Sequence, residues 1–305
     1  MVTVVQPSTG LRVALGIGLR AWRTLRRYPV IPALIVIVLV VCAIFAPWLA
    51  QHDPRLGNIF DSDRPPTWQA TSPVSGKASK PEYILGTDPL GRDILSRIIW
   101  GARYSLAIAG TVLFFGAVGG SLLGMVAGYF RGALDEVIMR TVDLTLGVPF
   151  ILVALASVVV FGASFELVIS LLVAYSWSGY ARAVRAETLR IRVTDYVSSA
   201  RITGASAFRI LSRHVLPGIV NTVLVLASLQ VGQLILTEAA LSFLGVGIPK
   251  PSPAWGSMVA EGRDYISTSY WMSLFPGLAI FLVVFAMNFL GDWLRDRFDP
   301  RLRQL

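Results

Sequence analysis

SLAIAGTVLFFGAVGGSLLGMVAGY, residues 105–129, contains no Asp, Glu, Lys or Arg. As a helix rising 1.5 Å per residue it reaches about 37 Å, enough to cross about 30 Å of hydrocarbon. Gly116, Gly119, Gly120, Gly124 and Gly128 recur along it. In a spanning helix such residues let a neighbouring backbone approach closely, so they read as packing positions rather than points of flexing. Five further apolar stretches accompany this one: 30–49, about 142–161 with Asp143 near its start, about 167–180, about 219–243 containing Glu238, and about 272–290. Alternation of strand type is weak throughout, and only helices or closed barrels satisfy their backbone in lipid. The expected fold is therefore an all-α polytopic membrane protein with six transmembrane helices.

Composition agrees. Of 305 residues only 15% are charged, against about 25% in a soluble domain, while 54% are hydrophobic and the mean hydropathy is +0.65. The net charge of +9 would suit a nucleic-acid binder, but its placement follows topology instead. Arg12, Arg20, Arg23, Arg26 and Arg27 precede the first span. Arg131 and Arg140 lie between the second and third, seven Arg between the fourth and fifth, and Arg295, Arg297, Arg301 and Arg303 after the last. The opposite side carries nine Lys and Arg, seven of them in 50–104 beside Asp53, Asp61, Asp63, Asp88 and Asp93. The Arg-rich side is expected to be cytoplasmic, with both termini inside. Residues 1–29 are then a cytoplasmic segment, in which 11–25 with Trp22 suits a helix lying at the interface. Residues 30–49 form an uncleaved anchor, since Val41 before Cys42 is not the small residue a lipoprotein cleavage site needs. Residues 50–104 are external, 105–291 a membrane core, and 292–305 a cytoplasmic tail.

Chemistry of the catalytic kind is not written in this chain. Lys77, Lys80 and Lys250 stand in no phosphate-cradling Gly-rich loop. His52 and His214 fall on opposite sides of the membrane, and one cysteine, Cys42, makes neither an intrachain disulfide nor a Cys cluster. No metal site and no cofactor motif is read. Glu238 is a carboxylate at membrane depth, where insertion costs about 2.5–3.5 kcal/mol, so it must face protein or water. It reads either as a polar anchor, with Thr237 and Ser242 making its face polar, or as a pore-lining proton relay. Asp143 is expected to pair with Arg140 or be solvated.

Outside the membrane, Gly86-Thr87-Asp88-Pro89-Leu90-Gly91-Arg92-Asp93 leads into an apolar-periodic run, with Asp88 expected as helix N-cap and Pro89 as first helical residue. Residues 245–253 are too rich in Gly and Pro for regular structure. Trp255, Met258, Val259 and Tyr265 after them suit an amphipathic interfacial helix. Cytoplasmic residues 181–218 predict two short helices. Asp195 caps the first through Ala200, Gly204 interrupts, and Ser206 caps a second with Phe208, Leu211 and Val215 on one face. Leu216 before Pro217 predicts a turn. On the residues alone this segment is equally a docking element or a solvated loop.

Tyr196-Val197-Ser198-Ser199-Ala200-Arg201-x-x-Gly204, followed by His214-Val215-Leu216-Pro217, resembles the cytoplasmic signature loop of ABC importer permeases: Glu-Ala-Ala, three residues, Gly, nine residues, an apolar residue, one residue, Leu-Pro. Ser198 replaces the acid, Ser199 the first alanine and His214 the apolar residue. The 86–93 motif, Met139-Arg140-x-x-Asp143, Glu238-Ala239-x-Leu241-Ser242-Phe243-Leu244-Gly245, Trp255-Gly256, Phe275-Pro276-Gly277 and Asn288-Phe289-x-Gly291-Asp292 extend the likeness over about 30–303. The chain resembles the second permease subunit of a dipeptide/oligopeptide importer. That resemblance implies the type I ABC importer architecture, a homologous permease partner, two ATPase subunits and an external solute-binding protein, in a prokaryotic cytoplasmic membrane. It assigns Tyr196, Ala200, Gly204, Ala205, Phe208, His214, Leu216 and Pro217 to ATPase coupling. Glu238 and Ser242 remain a translocation-path element or a polar anchor, and Asp88, Gly91, Arg92 and Asp93 an external structural motif. The rival readings are a secondary transporter driven by protons through Glu238 and Asp143, and a membrane scaffold.

Overall fold

Lipid offers the backbone no hydrogen-bond partner, so each spanning segment must close its own ladder. In the computed structural model, which describes residues 29–298, the apolar runs are all helical. The elements are α1 (Val30–Leu49), α2 (Ile94–Phe130), α3 (Gly132–Gly147), α4 (Phe150–Phe161), α5 (Phe165–Ile191), α6 (Asp195–Ile202), α7 (Ala207–Ile210), α8 (Leu216–Phe243), α9 (Trp255–Gly262) and α10 (Trp271–Phe298). Among the described residues, strand-like pairing is confined to two isolated bridges, Thr71 with Ala78 and Thr87 with Asp93. The interfacial helix expected over 11–25 lies outside the described residues.

Five helices are long and apolar enough to cross a membrane: α1, α2, α5, the continuous run Ala207–Phe243, and α10. The expected third span is not one rod. It is α3 followed by α4, bent by 85°. Pro149 stands at the break. It has no N–H to give the preceding turn, and it starts a new helix at Phe150. Pro217 has the opposite outcome, and the predicted turn at Leu216 is absent. Residues Leu211–Val215 form a π turn in which the Leu216 N–H reaches back to the Leu211 carbonyl. This widened turn sits just ahead of the proline, whose ring would otherwise crowd the carbonyl four residues back, so the helix passes through. α5 runs on to Ile191, so the cytoplasmic connection begins near Arg192 rather than at 181.

The bundle is organised by α2 against α5. A Cβ on Gly116, Gly120, Gly124 or Gly128 would lie 2.1–2.8 Å from Ser176 Oγ or the carbonyls of Trp177, Ala181 and Arg185. Only hydrogen fits there, which allows the backbones to touch over about three turns. Gly119, on another face, has open space around it.

The segment between α1 and α2 is held by charges. Asp93, not Asp88, caps α2, accepting from the Ser96 N–H at 2.9 Å. Asp88 instead accepts from the Leu90 and Arg92 N–H groups, each at 2.9 Å, pairs with Arg92 Nε at 2.6 Å, and pairs with Arg97. Arg92 and Arg97 both reach Glu261 of α9, at 2.8 and 3.0 Å, and Lys250 joins at 3.0 Å. Buried charges need such closure, because one left unpaired is strongly destabilising. α9 is correspondingly no interfacial helix. Trp255 and Met258 are buried in the protein, and Trp255 Nε1 donates to the Ile98 carbonyl at 3.0 Å. Trp271 Nε1 likewise donates to the Thr87 carbonyl.

Two expectations follow. Gly124→Leu should destabilise the bundle by about 1–3 kcal/mol or more by overpacking, lowering the yield of monodisperse protein in detergent, whereas Gly119→Leu should leave the yield near wild type. The second concerns acid. Burial alone would raise the Asp61 carboxyl, but hydrogen bonds from Lys80 and Arg64 outweigh it and hold it below the usual carboxylate range. Burial likewise raises Glu261, and the Arg97 and Arg92 charges overcome it. Both carboxyls therefore stabilise the fold fully above about pH 4, the unfolded value, and lose that contribution as pH falls through their depressed folded values. Proteolysis within 50–93 should accelerate only at such acid pH, and Asp61→Asn should flatten the dependence.

Candidate functional site

The connection between α5 and α8 is an elbow with a fixed geometry. α6 begins at Asp195 with Thr194 at the cap position, so Asp195 is a first-turn acid rather than the cap. It ends where Gly204 takes φ +81°, a backbone state that glycine enters without steric cost. There the Ala205 N–H bonds to the Ala200 carbonyl at 3.0 Å and the Gly204 N–H to that of Arg201 at 3.1 Å, a Schellman closure. Ser206 then caps α7, accepting from the Arg209 N–H at 3.4 Å.

The elbow has an inner and an outer face. Val197, Ile210, Val215 and Ile219 are buried with Met125, Val184 and Ile191, which seats it on the C-terminal ends of α2 and α5. Arg192 Nη1 donates to the Tyr129 carbonyl at 2.9 Å, and Arg201 lies over the Tyr129 ring. Outward point Ile202, 86% exposed, and Phe208, 81% exposed, with Val193 and Tyr196 beside them in sequence and also exposed. Phe208 and Val215, expected on one face, are thus parted: one is exposed and the other buried. Ala200 and Ala205 are half-buried, and Gly204 and Pro217 are exposed. His214 packs its ring 6.1 Å from that of Tyr196, and Leu216 is part of α8. Val193 and Ile202 were not singled out in the sequence, although each is an apolar residue set among Arg and Thr in a cytoplasmic stretch.

Glu238 lies far from the elbow, near the external end of α8, and is 1% exposed. Ser242 Oγ donates to its Oε1 at 2.7 Å, and the Ile248 N–H in turn donates to Ser242 Oγ at 3.3 Å. Thr237 takes no part, since its hydroxyl donates to the Gln233 carbonyl of its own helix. The chain folds tightly over this point: a Cβ on Gly256 would sit 1.9 Å from the Ala239 carbonyl, and one on Gly247 would strike Ser242. Through Ser242 the carboxyl ties α8 to the 245–254 loop. Asp143 is elsewhere, pairing with Arg182 at 2.6 Å rather than with Arg140. Externally, Gly91 at φ +73° would drive a Cβ into the Asn58 carbonyl, which keeps Asp88 and Arg92 in place. The residues named from the sequence therefore form three separate groups: the cytoplasmic elbow, the sealed Glu238 anchor and the external charge cluster.

Comparison with known proteins bears on what such an assembly is. Residues 120–304 match the family described as "Binding-protein-dependent transport system inner membrane component". The chain is 40% identical over 284 residues to the glutathione transport system permease protein GsiD of Pectobacterium atrosepticum, covering 92% of this chain and 90% of that one. It is 38% identical over 270 residues to the di/tripeptide transport system permease protein DppC of Pseudomonas aeruginosa, covering 88% and 87%. A chain of the MetNI methionine ABC transporter in an inward-facing conformation superposes with a TM-score of 0.56 at 20% identity, covering 67% of this chain and 97% of that one, a likeness of fold. The chain belongs to this family as a permease subunit of a binding-protein-dependent ABC importer.

Proposed function

We propose that this subunit forms half of the translocation path for short peptides or closely related solutes. It pairs with a homologous permease and is driven by two ATPase subunits that dock on the α6–α7 elbow. Energy enters from those partners, because this chain holds no phosphate-cradling loop. The external parts, 50–104 and 246–271, receive a solute-binding protein, and both termini lie in the cytoplasm of a prokaryotic cell. The solute class comes from relatives whose names specify glutathione and di/tripeptides.

The observation that carries the coupling role is the outer face of the elbow. Ile202 and Phe208 are exposed at the tips of two short helices whose inner side is buried against α2 and α5. A solvated loop would gain nothing from holding large apolar groups out on a braced support, whereas a partner groove would bury them. ATP binding in the partners would then move the elbow, and with it the ends of α2 and α5, shifting the path between inward-open and outward-open populations.

Ile202→Asp and Phe208→Asp should keep membrane abundance while reducing ATPase co-purification and ATP-driven uptake by about tenfold or more. Gly204→Val should act alike, by straining the φ +81° turn. Arg213→Ala, on an exposed position, should be close to wild type. Unchanged association in all three apolar-face and turn variants would reduce the elbow to a solvated loop. Glu238→Gln keeps the shape and most of the hydrogen bonding at the sealed anchor. Uptake should therefore stay within about twofold of wild type, and loss of uptake in a fully assembled complex would show that the carboxylate charge itself is required.

A further inference from the structure

Charged and amide groups are rare where a helix meets hydrocarbon, because lipid returns none of their hydrogen bonds. Asp143 of α3 and Arg182 of α5 break that pattern. Their ion pair is 2.6 Å long, and both side chains are more than half exposed. The pair lies inside the bundle's length. Arg182 follows Ala181, whose carbonyl backs Gly124, about 9 Å along α2 from its cytoplasmic end at Phe130. One turn up α5, Gly179 faces the side-chain amide of Gln230 on α8. Gln230 Oε1 is buried without a hydrogen-bond partner among the described residues. One turn further up α8, Gln233 is exposed. Tyr175, on the same side of α5 as Gly179, stacks on Phe150 just past the α3–α4 break, at 4.8 Å between ring centroids.

We propose that Asp143, Arg182 and Gln233 are the solute-contacting groups of a stripe along the translocation path, with Gln230 buried behind it, and that the stripe takes a short peptide by its carboxylate and its amide groups. The inference rests on the reading of this chain as a peptide permease and names the residues that would do the recognising. α5 and α8 run antiparallel here, so the stripe from Arg182 past Gly179 and Gln230 to Gln233 is about 9 Å long. An extended chain spans at most about 3.3–3.6 Å per residue, so the stripe accommodates about two to three residues. The Arg182 guanidinium offers a planar fork that matches a carboxylate. Asp143 is its counter-ion when the path is empty, and an exposed ion pair of this kind is weak enough to be exchanged. The exposed Gln233 amide both donates and accepts, which complements a peptide group.

The test uses the whole complex in liposomes, with partner permease, ATPases and binding protein. Gln233→Cys in a Cys42→Ser background is reacted with a membrane-impermeant thiol reagent, with Phe281→Cys on the exposed face of α10 as reference. The dipeptide Ala-Ala and its C-terminal amide are the solutes. Gln233→Cys should react faster than Phe281→Cys, and Ala-Ala should slow it. Arg182→Gln should lower Ala-Ala uptake by about tenfold more than uptake of the amide. If Arg182→Gln fails to assemble, the labelling of Gln233→Cys and its protection by Ala-Ala decide. A Gln233→Cys no more reactive than Phe281→Cys, or unprotected by Ala-Ala, overturns the stripe, as does Arg182→Gln uptake that does not distinguish the two solutes. In each of those cases wild-type Ala-Ala uptake leaves peptide import standing. A wild-type complex that imports neither solute overturns the peptide reading together with the stripe.

Discussion

The backbones of α2 and α5 touch because Gly116, Gly120, Gly124 and Gly128 leave room for Ser176, Trp177, Ala181 and Arg185 and nothing more. In a bilayer, close packing of this kind carries much of helix association, since the lipid is as apolar as the side chains it would replace. Both ends of the molecule depend on that seam. Its cytoplasmic end supplies Met125, Val184 and Ile191 as the seat of the elbow. Its external end, where α2 begins at Asp93 and Arg97, is the anchor of the charge cluster that holds residues 50–93 against α9. The elbow is thereby braced by two helices that cannot slide apart without losing their contact.

Charge is used in two contrasting ways. Asp88, Arg92 and Arg97 are buried and pair with one another and with the partly buried Glu261, an arrangement that resists change because removing one member leaves another uncompensated. Within the bundle, Asp143 and Arg182 form an exposed pair. The first arrangement suits a platform that must stay shaped while a partner lands on it. The second suits a surface that trades partners with a passing solute. Glu238 belongs with the first, since it is sealed and hydrogen-bonded to Ser242. It also lies about 16 Å along the helix axes from Arg182, counting along α5 and α8 from the level of Gly179 and Gln230. A proton relay between Glu238 and Asp143 therefore has no short route.

Proline shows how context decides a local rule. Pro149 breaks its span by 85°, while Pro217 lies inside a run continuous from Ala207 to Phe243. Both residues lack the N–H and carry the same ring. The difference is the π turn Leu211–Val215, which is pinned by the burial of Ile210, Val215 and Ile219 against α2 and α5. Burial of an apolar face thus sets the helix register that admits Pro217, whereas Val148 before Pro149 is exposed and has no such hold.

Hydrophobic length and Arg placement in the sequence were enough for the helical class, the six apolar runs, the 30–49 helix and the family likeness, because each follows from a residue's own transfer energy or a short local pattern. Ser206 and Gly204 were legible for the same reason, being a cap and a positive-φ position read from their neighbours alone. Other features were decided by contacts between segments distant in the chain. Asp88 lost the cap to Asp93 because Arg92 and Arg97 claim its carboxylate. The α9 helix turned inward because Gly101 leaves space for the Trp255 ring. Asp143 chose Arg182 over its own-helix neighbour Arg140 because α3 lies along α5. Phe208 and Val215 parted because the π turn alters the helical register between them. A sequence states which groups need partners, and packing in three dimensions decides which partners come within reach.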